Sequence, residues 1–328
     1  MRKKVDVRYF INNYITQRND NFLEKDILKY KPKLSLELNQ NSALVIGGAG
    51  TIGKNYIKAL LKFRLKKLIV IDINENGLTE LVRSLRSSNN LFIPDELITY
   101  PISFSDNLFL KIFKSKGPFD VIANFAAHKH VRSEKDMYSV EAMISNNFLN
   151  AKELMDIIST SPPRHFFCVS TDKATDPKNI MGASKLLMEK LIFSYKNKIN
   201  VKTARFANVA FSNGSLLDGY INRYHNMEPL ACPLEIKRYF LSPKESGELC
   251  LLASILGNSG DIFFPKMSAS HLISFEKITI DFLNYLEMDV DYCESESLAI
   301  KKSNLLNDNS NSYPVYFFKP NTTGEKSF

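Results

Sequence analysis

The chain has 328 residues, of which 44% are hydrophobic and 24% are charged. This composition is ordinary for a folded globular protein and excludes a mostly disordered chain, which needs few apolar residues. Apolar runs such as 249–256 are far too short to span a bilayer, so we expect no membrane partner. The length predicts about two lobes or one enlarged α/β unit.

The formal net charge is +8, from 43 basic and 35 acidic residues. The basic residues are spread along the chain in small clusters and form no long block. We interpret the excess as a solvated basic surface, or as attraction for an anionic small molecule such as a nucleotide-bearing substrate. A nucleic-acid partner is not expected, because that function needs a basic stripe.

The four cysteines, Cys168, Cys232, Cys250 and Cys293, are far apart and include no CxxC pair. The spacing therefore predicts neither a metal site nor a disulfide framework. The N-terminus has charges but no apolar segment followed by a small-residue cleavage site, so no secretory signal is predicted. A reduced, cytoplasmic location is the default expectation.

Residues 1–40 mix polar and apolar types without the alternation of a strand. Phe10, Ile11 and Tyr14 recur at helical spacing. We predict an N-terminal helical extension over 1–40, with short helices packed on the outside of the adjoining domain. A disordered leader is the alternative.

From residue 42 onward, apolar runs of strand length alternate with helical stretches. This alternation predicts an α/β fold, a Rossmann-type doubly wound parallel sheet whose strands are covered on both faces. We place this domain at 41–210. A smaller C-terminal, mainly substrate-binding lobe is predicted over 211–328, above the sheet edge where open α/β sheets bind ligands.

A glycine-rich loop joins the first predicted strand to the first helix. Gly47, Gly50 and Gly53 are spaced three apart, and Thr51 and Ile52 lie between the last two. Such glycines allow a tight turn and let backbone N–H groups approach a pyrophosphate, while the helix N-terminus adds positive potential. The loop therefore predicts a dinucleotide site formed by these five residues.

Asp72 closes the second predicted strand. A carboxylate there accepts hydrogen bonds from the adenine ribose hydroxyls and repels a 2′-phosphate, which favours NAD over NADP. The alternative is that Asp72 caps the next helix, whose first turn also holds Glu75.

Polar residues follow the fourth and fifth strands, at 124–131 and 169–173, and open a helix at 181–185. These segments are expected at the carboxyl edge of the sheet, near the nicotinamide. Asp172 and Lys173 are adjacent there, although a core does not require such a pair and burying unpaired charges is costly. A surface ion pair in a loop is the alternative.

At these residues the chain resembles the extended short-chain dehydrogenase/reductases, through its glycine spacing, Ala126-Ala127 after the fourth strand, and Met-x-x-x-Lys in place of Tyr-x-x-x-Lys. Within that family it resembles soluble forms of the nucleotide-activated N-acetylglucosamine 4,6-dehydratases, over about residues 42–265. The motifs that carry this resemblance are Ser-Thr-Asp-Lys-Ala at 170–174, Met-Gly-Ala-Ser-Lys at 181–185, Arg-Phe-Ala-Asn-Val at 205–209, Ser-Asn-Gly-Ser at 212–215 and Arg-Tyr-Phe at 238–240.

The resemblance implies a reaction that converts UDP-N-acetylglucosamine into the UDP-4-keto-6-deoxy-N-acetylhexosamine. Carbon 4 is oxidised, water is eliminated across carbons 5 and 6, and carbon 6 is reduced, so a tightly bound NAD is recycled. Asp172 is the expected acid for the leaving 6-hydroxyl, and a neutral Lys173 the expected base for the carbon 5 proton. Thr171 is expected to hydrogen-bond the 4-hydroxyl, and Lys185 the nicotinamide ribose. Ala126 and Ala127 are expected to line the cofactor.

Three positions depart from the family pattern. Ile46 replaces the usual Thr before the first glycine, and Ser103 stands where an Asp near adenine is common. Met181 replaces the tyrosine base, and a thioether has no proton to exchange. Asp172, or a water held by Thr171, must then accept the 4-hydroxyl proton. A Met at this position implies retention of configuration at carbon 5.

The resemblance implies a homo-oligomer, which is a dimer or a higher assembly. It also assigns substrate contacts. Arg238 is the expected clamp for the diphosphate, because a guanidinium matches phosphate geometry. The expected substrate-binding residues are Lys129, His130, Met181, Asn208, Ser212, Ser215 and Arg238.

Three other functions stay open. The same reaction could act on GDP-N-acetylglucosamine, since no residue decides the nucleotide. A nucleotide-sugar 4-epimerase or reductase is a second candidate, although Met181 and the Asp172-Lys173 pair disfavour it. A non-catalytic NAD-binding protein is a third, made conceivable by the missing tyrosine.

Overall fold

The computed structural model describes residues 3–18, 21–129, 134, 136–206 and 208–319. The chain divides into two compact units, which we call the Rossmann unit and the small unit. The Rossmann unit comprises Phe22–Phe206 and Lys244–Pro265. The small unit comprises the described parts of Met1–Asn21, Ala207–Pro243 and Lys266–Phe328.

The Rossmann unit is built on a seven-stranded sheet in which every neighbouring pair is parallel. With strands numbered along the whole chain, its members are β1 (Ser42–Ile46), β2 (Lys67–Ile71), β3 (Glu96–Tyr100), β4 (Val121–Asn124), β5 (His165–Val169), β6 (Val201–Ala204) and β11 (Ile262–Phe263). Their spatial order is β11-β6-β5-β4-β1-β2-β3. The predicted Rossmann-type α/β fold is therefore confirmed.

Helices flank these strands, and most of them form the crossover connections that parallel neighbours require. They are α2 (Glu24–Leu38), α3 (Thr51–Leu60), α4 (Glu75–Arg86), α5 (Asn107–Lys116), α6 (Met137–Ile144), α7 (Asn150–Ile158), α8 (Ile180–Ser194) and α10 (Pro243–Leu256). A π-helical turn, Ser145–Leu149, joins α6 to α7. Among the described helices, none combines the length and the apolar character needed to cross a membrane.

The apolar runs of the strands are the core of this unit. Leu44, Ile69, Ile122 and Phe166 are each at most 1% exposed and belong to one hydrophobic cluster. Four of the helices, α4, α5, α6 and α8, begin after a side chain that accepts a backbone hydrogen bond; Asn179, for example, accepts from Gly182 N at 2.8 Å. Local residue types thus determine both the sheet interior and the points where helices start.

The small unit contains short elements around an aromatic core that includes Phe10, Tyr220, Phe282 and Tyr313. Its helices are α1 (Val7–Phe10), continued by a π-helical turn (Ile11–Ile15), α9 (Leu216–Asn226), α11 (Phe275–Tyr285) and α12 (Glu296–Ser303). Its strands are β7 (Asn208–Val209), β8 (Leu230–Pro233), β9 (Lys237–Arg238), β10 (Phe240–Leu241), β12 (Ile273–Ser274), β13 (Asp289–Cys293) and β14 (Ser312–Phe318). They pair as β13-β14-β8, β10-β7 and β12-β9.

The two units differ from the predicted division at 40 and 210. The segment 1–40 is shared, because its described residues up to 21 belong to the small unit and α2 belongs to the Rossmann unit. The chain also returns to the Rossmann unit at 244–265, where β11 adds the seventh strand beside β6. The strand β11 has only two residues, so it carries no alternation that the sequence could show.

Candidate active site

The glycine loop between β1 and α3 makes close backbone approaches. Gly47 has φ +75°, and a Cβ there would lie 2.5 Å from the backbone nitrogen of Ala126. A Cβ on Gly53 would lie 2.3 Å from the carbonyl oxygen of Gly47. Neither position therefore has room for a side chain. Gly50 is the residue before α3, and Thr51 and Ile52 form the first turn of that helix, whose N–H groups can receive an anion.

Asp72 contacts the glycine loop directly. Its Oδ2 accepts a hydrogen bond from Ala49 N at 2.9 Å, and its Oδ1 accepts one from Asn74 N at 2.9 Å. The following helix is capped instead by Asn74, which accepts from Gly77 N at 2.9 Å. Asp72 is thus placed at the end of β2 beside the loop, as a residue facing the adenosine ribose would be.

The segment after β4 is held by two asparagines. Asn124 Oδ1 accepts from Ala126 N at 3.0 Å. Asn147 accepts from His128 N at 2.9 Å and donates to His128 O at 3.0 Å and to Ser184 Oγ at 3.0 Å. Ala127 lies between these two anchors. His128 and Lys129 are exposed, and His130 lies outside the described residues.

Asn147 is a site residue that the sequence reasoning missed. It is 2% exposed and lies in the π-helical turn between α6 and α7. A π-helical turn shifts the helix register by one residue, and such turns are frequent at functional sites. Here the turn carries a polar side chain that joins the stretch after β4 to α8. The sequence offers no signal for it beyond a polar residue in an otherwise amphipathic helix.

The end of β5 brings the predicted Thr171, Asp172 and Lys173 together. Thr171 Oγ1 donates to Asp172 Oδ1 at 2.9 Å, and Lys173 Nζ lies 3.7 Å from the same carboxylate oxygen. The side chains of Asp172 and Lys173 are 47% and 28% exposed, so both can reach a ligand. The arrangement offers an acid, a basic amine and a hydroxyl on one short turn.

The first turns of α8 carry the remaining predicted residues of this edge. Met181 is 3% exposed, and its N–H donates to Glu134 Oε1 at 2.7 Å. Lys185 is 4% exposed, and its Nζ donates to the carbonyl oxygen of Val169 at 2.8 Å. Burial lowers the pKa of Lys185, because a low-dielectric surrounding disfavours the charged form. The sequence did not single out Glu134, because its contact is with a residue 47 positions away in the chain.

Ser170 stands between β5 and the Thr171 turn. It is 5% exposed, and its Oγ has no hydrogen-bond partner among the described residues. Buried hydroxyls are normally satisfied, so an orphaned one at the end of a strand is suited to receive a ligand group.

The other predicted substrate residues belong to the small unit. Asn208 N donates to Tyr239 O at 3.2 Å, and Ser215 precedes α9 and accepts from Asp218 N at 3.2 Å. Ser212 N donates to Val209 O at 3.2 Å. Arg238 is 5% exposed, and its Nη1 donates to Lys237 O at 2.8 Å.

Comparison with known proteins shows similarity over most of the chain. The chain is 33% identical over 247 residues to an uncharacterized membrane protein of Methanocaldococcus jannaschii, covering 73% of this chain and 71% of that one. It is 29% identical to the capsular polysaccharide biosynthesis protein CapD of Staphylococcus aureus, over 78% of this chain but only 43% of that protein. A UDP-glucose 4-epimerase of Rickettsia bellii is 30% identical, over 69% of this chain and 66% of the epimerase.

Solved structures share the fold at lower identity. Pen from Bacillus thuringiensis superposes with a TM-score of 0.70 at 20% identity, covering 88% of this chain and 82% of that one. DesIV, a dTDP-glucose 4,6-dehydratase from Streptomyces venezuelae solved with NAD bound, gives a TM-score of 0.63 at 16% identity, with 84% and 85% covered.

The family comparison covers most of the chain. The model of the family described as "Polysaccharide biosynthesis protein" matches residues 43–302. That range includes the glycine loop, the Asp172-Lys173 turn and the segments 208–215 and 237–241. The chain belongs to this polysaccharide biosynthesis protein family.

Proposed function

We propose that the chain is a nucleotide-sugar 4,6-dehydratase that removes water from UDP-N-acetylglucosamine and leaves the 4-keto-6-deoxy sugar. The observation that carries this proposal is the turn after β5, where Asp172 and Lys173 lie 3.7 Å apart next to Thr171. Elimination needs a proton donor for the leaving 6-hydroxyl and a proton acceptor for carbon 5, and this turn supplies both.

The residues of the Rossmann unit fit a dinucleotide. Gly47 and Gly53 let the backbone of the loop pack too closely for a Cβ at either position. Ser170 Oγ is buried, and it has no hydrogen-bond partner among the described residues. The first turn of α3, including Thr51 and Ile52, would receive the pyrophosphate. Asp72 would receive the ribose hydroxyls, which favours NAD over NADP. NAD would supply a hydride acceptor for carbon 4 and a hydride donor for carbon 6.

The chain's own residues then have separate tasks. Thr171 Oγ1 would orient the 4-hydroxyl, and Asp172 would protonate the departing 6-hydroxyl. Lys173, as the neutral amine, would take the carbon 5 proton. Lys185 would contact the nicotinamide ribose, with Ala126 and Ala127 beside it. Met181 has no exchangeable proton, so Asp172 or a water on Thr171 would accept the 4-hydroxyl proton.

Substrate recognition is assigned to two sets of residues. Lys129 and His130, after β4, would contact the sugar or its phosphates. Arg238 would pair with the diphosphate, because its guanidinium matches phosphate oxygens. Asn208, Ser212, Ser215 and Met181 complete the proposed substrate-binding set.

Incubation with UDP-N-acetylglucosamine and, separately, GDP-N-acetylglucosamine tests the proposal when no cofactor is added. Mass spectrometry should show the loss of one water molecule from one of the two, which also identifies the nucleotide. Asp172→Asn and Lys173→Met should abolish the loss. Lys178→Met is the matched control. Lys178 lies five residues after Lys173 and forms an exposed ion pair with Asp176. No dehydration by the wild type, even with added NAD, would overturn the proposal.

The stereochemistry at carbon 5 is a separate test. Met181 in place of tyrosine supports retention at this carbon. The fresh product is first reduced with borohydride, so that carbon 4 again carries a proton that couples to H5. The proton NMR couplings should then show that carbon 5 keeps its configuration, and an inverted carbon 5 would contradict retention while leaving dehydration intact.

A 4-epimerase is the second candidate, favoured by the name of the Rickettsia relatives. An epimerase needs a base for the 4-hydroxyl and has no use for an acid and a base on one turn. A product of unchanged mass with an inverted carbon 4 would support the epimerase.

A further inference from the structure

The N-terminal segment 5–18 belongs to the small unit and is built into its core. It consists of α1 and the π-helical turn that continues it. Phe10, Ile11 and Ile15 are at most 5% exposed and join the main hydrophobic cluster of that unit. Because whole side chains of this segment are buried, the segment is a structural part of the unit that carries Ser212, Ser215 and Arg238.

Phe10 packs directly on Phe211. The ring centroids are 5.9 Å apart with the planes at 84°, which is an edge-to-face contact. Phe10 makes a second edge-to-face contact with Phe282 of α11, at 5.7 Å and 89°. The ring of Phe10 thus links Phe211 to the helix α11.

Phe211 has an unusual backbone conformation. Its φ is +51°, in the left-handed region that a bulky aromatic residue rarely adopts. Such a conformation persists only where the surroundings impose it, and it is concentrated at functional sites. Phe211 is 8% exposed, so its side chain is held inside the cluster. Phe10 forms one wall of the packing around this ring.

The backbone conformation of Phe211 sets the direction of the chain into the segment that contains Ser212 and Ser215. Ser212 N donates to Val209 O at 3.2 Å, and Ser215 N donates to Ser212 O at 2.8 Å. Ser215 then begins α9 by accepting from Asp218 N. A change at Phe211 would therefore rotate Ser212 and shift Ser215 with it.

Arg18, at the end of the same segment, reaches the other substrate motif. Its Nη2 donates to the carbonyl oxygen of Phe240 at 3.3 Å. Phe240 lies in β10, which pairs with β7 at Asn208, and it follows Arg238 by two residues. One short N-terminal segment thus contacts both stretches of chain that carry the proposed substrate residues.

We infer that residues 5–18 position the nucleotide-sugar site of the small unit, with Phe10 acting as a positioning residue for Ser212 and Ser215 and Arg18 acting as one for Arg238. This inference rests on the proposed function. It predicts that changes at Phe10 and Arg18 weaken substrate binding while the cofactor, which the Rossmann unit is proposed to hold, stays bound.

The test uses the full chain with Phe10→Leu, Phe10→Ala and Arg18→Met. Tyr9→Ala is the matched control, because Tyr9 lies on α1 beside Phe10, is 50% exposed and contacts Tyr14 and Tyr285. The readouts are KM and kcat for the nucleotide sugar, calorimetric titration with UDP and with GDP, the amount of copurified dinucleotide, and the melting temperature.

We expect Phe10→Leu and Arg18→Met to raise KM and the nucleotide Kd by roughly tenfold, with kcat and bound dinucleotide close to wild type. Tyr9→Ala should match the wild type. Phe10→Leu keeps an apolar side chain, so it remains informative if Phe10→Ala fails to fold. Equal KM and Kd in wild type, Phe10→Leu and Arg18→Met would overturn the inference. A wild type that neither turns over a nucleotide sugar nor binds UDP or GDP would overturn the proposed function, and this inference with it.

Discussion

Lys185 Nζ donates a hydrogen bond to the carbonyl oxygen of Val169 at 2.8 Å, which joins the first turns of α8 to the end of β5. Val169 is followed directly by Ser170 and the Thr171 turn. The ammonium group is buried, and burial lowers its pKa. A buried charge is retained at a cost in stability, which is consistent with the proposed role of Lys185 in holding the nicotinamide ribose.

Lys185→Met separates a role of this lysine in cofactor binding from a role in stability. Removing a buried ammonium offsets the loss of its hydrogen bond, so we expect the free energy of unfolding to change by less than about 1 kcal/mol. The copurified dinucleotide, measured by chromatography after denaturation, should fall at least roughly tenfold. Lys190→Met, an exposed position on the same helix, should keep its dinucleotide. Full retention by Lys185→Met would show that this lysine does not hold the cofactor.

Gly53→Ala tests the close packing of the glycine loop. The added Cβ would lie 2.3 Å from the carbonyl oxygen of Gly47. The backbone must move to admit it, so we expect a loss of about 1–3 kcal/mol in urea unfolding and loss of bound dinucleotide.

Gly219→Ala is the matched control for that substitution. Gly219 lies inside α9, and a Cβ there would meet nothing within 4 Å. Alanine should therefore stabilise the chain by about 0.5–1 kcal/mol. If both substitutions stabilised the chain, helix propensity would dominate at Gly53 and close loop packing would not limit that position.

Arg205 and Glu189 form an ion pair within the Rossmann unit. Arg205 Nε donates to Glu189 Oε1 at 2.8 Å, and Nη2 contacts the second carboxylate oxygen. Glu189 is 1% exposed. Arg205→Met would leave this carboxylate buried without its partner, and we expect a loss on the order of 3 kcal/mol.

The double variant Arg205→Met/Glu189→Leu should recover most of that loss, because it removes the orphaned charge. Lys152→Met, which breaks the exposed pair with Asp156, should change the free energy of unfolding by less than about 1 kcal/mol. Urea unfolding of the four proteins measures all these effects. A double variant no more stable than Arg205→Met would mean that the carboxylate is stabilised by other groups.

Much of the fold can be predicted from the sequence, because its signals are local and repeated. Buried parallel strands are continuous apolar runs, and the glycine spacing from Gly47 to Gly53, between a strand and a helix, predicts the tight turn that the structure has there. Asp172 and Lys173 are adjacent in the sequence. The structure adds the distance of 3.7 Å between Lys173 Nζ and Asp172 Oδ1.

The features that could not be predicted depend on distant residues meeting. Asn147 is buried in a π-helical turn that changes the helix register. The spacing of apolar residues in the sequence does not predict such a turn. Glu134 meets the N–H of Met181 across a separation of 47 residues. The strands β7, β9, β10, β11 and β12 have two residues each, too few for any alternation to be read.

A chain of polar groups joins α2 to the sheet, and its two buried members, His165 and Lys202, predict two separate pH effects. His165 Nε2 lies 3.1 Å from Glu37 Oε2, and Lys202 Nζ lies 2.8 Å from His165 Nδ1 and donates to Ser254 O at 2.9 Å. Burial lowers the pKa of His165 from 6.5, and nearby Lys202 lowers it further. Burial also lowers the pKa of Lys202 from 10.5 to about 8.

In both cases the unfolded chain binds the proton at a higher pH than the folded chain does. Stability therefore rises with pH wherever the two states differ in bound protons. For His165 this occurs below pH 6.5, so the protein should lose stability as the pH falls through that range. For Lys202 it occurs between about pH 8 and 10.5, where stability should increase as the unfolded chain loses its proton.

Melting temperatures measured across these two ranges check both signs. His165→Gln should flatten the acid range only, and Lys202→Met should flatten the alkaline range only, because each removes one titrating group. His225→Gln, at an exposed position of α9, should leave both slopes as in the wild type. If the wild-type melting temperature were independent of pH in both ranges, the pKa values of His165 and Lys202 would not change on unfolding. A slope that changed in both ranges for either single variant would show that His165 and Lys202 titrate as one coupled group.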